Sequence, residues 1–297
     1  MDSLYHIEGT KYLNNPYQEY HSPNTYPSFK IKLEEFKTNL SQQVNSNIAK
    51  TYYKFGDGDY HFLTKSKVGS AKPGNRALKK PYYLINHKKF LTNANLNDYY
   101  LCEIIKDNQK KFYQLFNRDF DFPAEAAYGL IANKWIFKQF SGKIGLIGAQ
   151  PKINLIKRLM YHNEYQEYLG LEKFNDYISI PQKFAVDKFS KVKNKLEDEI
   201  SQSSSSIFLL GVGHVKSGLI SELKNFKNAV FLDIGSGIDA IAGVVDKEKP
   251  YLGNWTNYRI KDNFDYSTID FLYHSETEVD ILLENTVWKI KSLEVLI

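Results

Sequence analysis

The strongest constraint on the fold is a pattern that occurs twice in the second half of the chain: a short apolar run, a glycine turn, then a helix. Gly142-Lys143 leads into Ile144-Gly145-Leu146-Ile147, the turn Gly148 to Pro151 follows, and residues 152–161 have helical spacing. Ile207-Phe208-Leu209-Leu210 precedes the turn Gly211-Val212-Gly213-His214, with a helix expected over 217–225, and Val230 to Gly235 supplies the next strand and turn. Strands alternating with helices imply an α/β fold with a mainly parallel sheet covered on both faces. In such sheets ligands sit at the carboxyl ends of the strands, where these glycine turns lie.

The rest of the chain is read around that frame. Residues 1–28, rich in Tyr, Asn and Pro without periodicity, are expected to form an N-terminal arm, and 29–297 a single domain of two lobes. Leu33, Phe36, Leu40 and Val44 repeat at helical spacing within 29–49. Residues 48–55 turn into a strand that stops at Gly56-Asp57-Gly58-Asp59, a tight polar loop before Tyr60-His61-Phe62-Leu63. A polar loop containing Arg76 is expected over 64–81, helices over 93–117 and 123–139, a strand over 176–181 and an amphipathic helix over 189–200.

Charge and composition narrow the function classes. The formal net charge is +5 and the lysines are scattered, without the dense basic stripe of a nucleic-acid binder, so no nucleic-acid partner is expected. A mildly positive balance suits an anionic substrate such as a nucleotide diphosphate. The one cysteine, Cys102, permits no intramolecular disulfide and fits a reducing compartment. It lies in a helical-looking run and is expected to be buried and inert. Residues 1–20 lack the apolar core of a signal peptide, and no stretch reaches the roughly 18 apolar residues of a membrane span. The expected location is cytoplasmic, or the host cytoplasm if the gene is viral.

Three motifs can carry chemistry. Asp57 and Asp59 stand one residue apart, with Gly56 and Gly58 letting the backbone approach a ligand. Such a pair can point at one Mg²⁺ or Mn²⁺ ion, or can mark a plain hairpin turn. Gly211-Val212-Gly213-His214-Val215-Lys216 follows a strand and opens a helix, which suits phosphate or ribose binding at Gly213 and His214, or tight strand–helix packing; Lys216 breaks the G-x-G-x-x-G pattern. Phe231-Leu232-Asp233-Ile234-Gly235-Ser236-Gly237 looks like the first motif of S-adenosylmethionine-dependent methyltransferases, although in most of that class it sits early in the chain.

Two of these strings also carry a second resemblance. Lys54-Phe55-Gly56-Asp57-Gly58-Asp59 resembles the R-F-G-D-G-E signature of the GT-D glycosyltransferases. Leu232-Asp233-Ile234-Gly235-Ser236, followed by Asp239-Ala240 and Ala242-Gly243, resembles the L-D-I-G-S-x-x-D-x-x-A-G string of GT-D-like proteins. The likeness spans roughly residues 30–260, with Asp59 in place of Glu and Lys54 in place of Arg. It implies a Rossmann-like sheet and a metal-dependent glycosyltransferase. The donor would be a nucleotide-diphosphate sugar, a UDP-sugar first, and the acceptor a hydroxyl of a glycan or glycoprotein.

Under that resemblance Asp57 and Asp59 hold the divalent ion, Mn²⁺ or Mg²⁺, on the donor diphosphate. Lys54 and Arg76 support the phosphate charge, Asp233 binds a ribose hydroxyl or the acceptor, Ser236 is a donor-binding residue beside it, and Asp239 is the candidate general base for the acceptor. Trp255 and Tyr258 are candidates for stacking on sugar or base rings. The competing readings are the methyltransferase, which would use Asp233 to Gly237 and ignore Asp57 and Asp59, and a carbohydrate-binding protein without turnover.

Overall fold

In the structure, a computed structural model, the described residues are 29–64, 85–103, 106–182 and 185–244, with two short strands at 259–260 and 287–288. The expected arm over 1–28, Arg76, Trp255 and Tyr258 lie outside them. Seven strands form one wholly parallel sheet: β1 (Lys50–Phe55), β2 (Tyr99–Cys102), β3 (Phe122–Pro123), β4 (Ile144–Ala149), β5 (Asp176–Ile180), β6 (Ile207–Gly211) and β7 (Val230–Asp233). Their order is β3-β2-β1-β7-β6-β4-β5. The expected Rossmann-like α/β architecture is therefore present. A separate two-stranded pair, β8 (Arg259–Ile260) and β9 (Val287–Trp288), is antiparallel.

Burial on both faces explains the apolar strands. One face is covered by α1 (Phe29–Ser46), α5 (Ala124–Ala132), α6 (Trp135–Gln139), α7 (Gln150–Leu159), α8 (Asn163–Leu169) and α11 (Gly237–Ile241). The other is covered by α2 (Asp57–Leu63), α3 (His87–Ala94), α4 (Lys106–Phe116), α9 (Phe189–Ser201) and α10 (Lys216–Leu223). Strand residues alternate between the two cores: Tyr52 and Leu232 pack on the first, Tyr53, Phe55 and Phe231 on the second. Connections running towards β3 cross the second face and those running towards β5 cross the first, which gives every crossover the same hand.

Two expectations are corrected here. Residues 93–117 are not one helix: Tyr99-Tyr100-Leu101-Cys102 is strand β2, paired with β1 in the register Tyr52↔Tyr99 to Phe55↔Cys102. A four-residue apolar run fits a helix or a buried strand equally, and the pairing that decides it is non-local. The Asp57-Gly58-Asp59 string is neither loop nor hairpin but the first turn of α2, with Gly56 at its N-cap. In addition, the helix expected over 123–139 breaks into α5 and α6 at Asn133-Lys134, where Lys134 takes a left-handed φ of 61°.

The topology opens a crevice. β1 leads into α2 on one face, whereas its neighbour β7 leads into α11 on the other. Adjacent strands whose connections part in this way form a ligand-binding switch point at their carboxyl ends. The corresponding gap between β4 and β6 is filled instead. Gly148 and Gly211 pair there, and a Cβ on Gly211 would come 2.6 Å from Ile238 Cγ1.

Candidate functional site

Charged side chains collect at the β1/β7 crevice, and each arrives there for a local reason. Asp59 is the third residue of α2. Its Oδ2 accepts from the Gly56 amide at 2.8 Å and so satisfies an amide that the helix start leaves unpaired. Asp233 ends β7, where its Oδ1 accepts from the Gly235 amide at 2.9 Å and closes the turn into α11. Gly235 has a φ of 50°, a conformation that a residue with a side chain adopts with strain.

Lys216, the first residue of α10, joins the two strands. Its Nζ lies 2.9 Å from Asp59 Oδ2 and 2.9 Å from Asp233 Oδ2, and it also donates to the Lys54 carbonyl. The exposures are 8% for Lys216, 3% for Asp59 and 1% for Asp233, so the triad is internal. Burial works against the charge of Lys216, but Asp233 and Asp59 outweigh it and hold its pKa above the ordinary lysine value. Its Nζ also sits 5.0 Å above the Tyr53 ring, whose hydroxyl shares a 2.9 Å hydrogen bond with Ser217.

On the opposite face of the same crevice lies Lys54. β1 alternates, so Lys54 points away from Phe55 and towards α5, where its Nζ lies 5.1 Å from the centre of the Tyr128 ring. Its stem crosses the Gly235 turn so closely that a Cβ there would meet Lys54 Cε at 2.7 Å. Lys54 is 6% exposed; burial opposes its charge, but Tyr128, Asp233 and Glu103 favour it and hold its pKa above the ordinary lysine value. Beside this turn, the Ser236 hydroxyl is buried and without a hydrogen-bond partner.

The remaining predicted residues spread along the same edge. Gly58 lies beneath His214: a Cβ on it would come 3.2 Å from the imidazole Cε1. That ring stacks on Phe62 at 5.2 Å, so His214 fastens the Gly213 turn to α2. Gly213 has a φ of 62° and open space around it. Asp239, in α11, forms a 2.5 Å ion pair with Lys152 of α7. Asp57 starts α2, but its side chain lies outside the described residues.

A hard divalent cation needs oxygen ligands at about 2.0–2.6 Å. The Asp59 oxygen that faces the crevice is already shared by an ammonium and an amide, and no group of three or more His, Cys, Asp or Glu among the described residues is placed to hold a metal ion. As placed, Asp59 Oδ2 is the counter-ion of Lys216.

Lys216 and Lys152 were not singled out as site residues in the sequence. The only signal for Lys216 was its place where the third glycine of a phosphate-binding turn would stand. Compared with known proteins, the chain matches no family model, no curated protein and no solved structure.

Proposed function

We propose that this chain is a glycosyltransferase that takes a sugar from a nucleotide-diphosphate donor, a UDP-sugar first, and passes it to a hydroxyl of a glycan or glycoprotein. One observation carries this reading. The two strings that resemble GT-D signatures are far apart in sequence, yet Asp59 of one and Asp233 of the other meet on the same ammonium at a switch-point crevice.

In this reading the Lys216 triad fixes the two turns relative to each other, so the donor meets a preorganised surface. Asp239 is the acceptor-side candidate. It stands on the short helix that follows the β7 turn and keeps a partly exposed carboxylate beside Lys152. A divalent ion, Mn²⁺ or Mg²⁺, would be held by Asp57 and Asp59 and would neutralise the donor diphosphate; no step here depends on one.

The test is thermal unfolding of the full chain with a panel of nucleotide sugars, each with and without Mn²⁺, followed by an assay of sugar transfer or release. A ligand that binds only the native state raises the midpoint with its concentration. The reading expects one nucleotide-sugar class to stabilise the chain and to be turned over. Asp239→Asn should keep donor binding and lose about 10²–10⁴ in turnover, the usual contribution of a general base. A midpoint raised by S-adenosylmethionine and by no nucleotide sugar would overturn the reading.

A further inference from the structure

We infer that Lys216 is a placeholder cation: it neutralises Asp59 while no divalent ion is bound, and gives that carboxylate up, keeping Asp233, when one is. The inference rests on the reading that Asp57 and Asp59 hold such an ion, and it concerns what this chain's own lysine does in response.

Lys216 occupies the oxygen that an ion would use. Asp59 Oδ2 already receives Lys216 Nζ at 2.9 Å and the Gly56 amide at 2.8 Å. Asp59 is 3% exposed, so little water screens the charges that meet there. A dication and an ammonium on one carboxylate repel each other strongly in such surroundings. The two are alternatives at Asp59 and do not share it.

Lys216 can leave Asp59 without becoming an uncompensated charge. An ammonium has three donors and no acceptor. Two of them are met elsewhere, by Asp233 Oδ2 at 2.9 Å and by the Lys54 carbonyl, and the Tyr53 ring faces the same nitrogen at 5.0 Å. Breaking the Asp59 contact costs one charge-assisted hydrogen bond, not the full penalty of a bare buried charge. Asp59 has no such reserve. Among the described residues Lys216 is the only cation in contact with it, so whatever moves Lys216 away must replace its charge. The triad also sets one positive charge against two negative ones, which favours a further cation.

The arrangement gives a crevice that is assembled before an ion arrives. Without Lys216, the Asp59 and Asp233 carboxylates would lie buried with no ammonium between them. With it, ion affinity is lowered by the strength of the contact that must break.

The experiment is calorimetric titration of the full chain with Mn²⁺ alone, at fixed pH and ionic strength. Wild type, Lys216→Met, Asp233→Asn and Asp59→Asn are compared, together with the unfolding midpoint of each with and without Mn²⁺. Lys216→Met removes the rival and should bind Mn²⁺ about 10-fold more tightly or better, the worth of one charge-assisted hydrogen bond. Its midpoint should also rise more on adding Mn²⁺ than that of wild type. Asp233→Asn deprives Lys216 of its other carboxylate, presses it onto Asp59 and should weaken Mn²⁺ binding by about 5-fold or more. Its amide oxygen can still accept from the Gly235 amide, and it keeps the test decisive should Lys216→Met not fold. Asp59→Asn should lose Mn²⁺ binding.

A lysine with a structural role alone would not move Mn²⁺ affinity in opposite directions in the first two variants. Equal or weaker binding by Lys216→Met, unchanged or tighter binding by Asp233→Asn, binding that survives Asp59→Asn, or no binding to wild type would each overturn the inference. The transferase reading fails separately. Mn²⁺ exchange as expected, with no nucleotide sugar bound or turned over, leaves the placeholder standing and removes the transferase. Nucleotide-sugar turnover by a chain that binds no Mn²⁺ does the reverse.

Discussion

Lys216 shows what a buried charge must do to be tolerated. It carries one positive charge against two carboxylates, and all three side chains are nearly sealed from water. Removing one partner of such a group leaves the others uncompensated, which typically costs about 3–5 kcal/mol. Lys216→Met should therefore lower the unfolding midpoint sharply in a thermal melt. The folded-state pKa of Lys216 is raised, so the stability it contributes is fully present below the unfolded-state value of about 10.4 and is lost only as pH rises past that. A series of melts between pH 7 and 9 should show no loss assignable to this group. Cys102 gives a second check at this scale. Burial first, then the nearby Glu125 and Glu103, push its thiol well above the ordinary range. It should resist alkylation in native buffer and react only once the chain is unfolded.

At the scale of elements, glycine positions distinguish contact from conformation. Gly211→Ala would drive a Cβ to 2.6 Å from Ile238 and 2.8 Å from the Gly235 carbonyl, so α11 and its turn must shift. Gly213→Ala meets nothing and costs only its left-handed φ, about 1–2 kcal/mol. Gly211→Ala should lower the unfolding midpoint more than Gly213→Ala, both read by scanning calorimetry.

What the sequence revealed of these elements followed from locality. The strand–turn–helix units around Ile144, Ile207 and Val230 were legible because apolar runs and glycines sit next to each other in the chain. β2 was not legible: Tyr99 to Cys102 has no glycine or proline at its borders, and its strand character comes from pairing with β1. The α5–α6 break was hidden because Lys134, not a glycine, adopts the positive φ. Asp59 and Asp233 were visible as acids, but their shared partner was not, since nothing local in Gly213-His214-Val215-Lys216 says that the lysine turns inward.

On the scale of the whole molecule, the sheet order makes a prediction that no single residue makes. β1 and β7 lie in the middle of seven parallel strands and send their following helices to opposite faces, so the ligand should meet the carboxyl edge at the centre of the sheet. The amino edge is built differently. There Asp98 accepts from Thr51 and pairs with Lys50 and Lys224, a pinned cluster that ties β1 to its neighbours. Ligand effects should be confined to one edge of the sheet.

Hydrogen–deuterium exchange of the full chain, with and without the ligand found in the nucleotide-sugar panel, tests this most directly. The account predicts slowed exchange in the peptides spanning 54–63 and 233–241, with those around 95–98 and 224–229 unchanged. Protection centred on the amino edge, or on the outer strands β3 and β5 with none at the Gly235 turn, would contradict it.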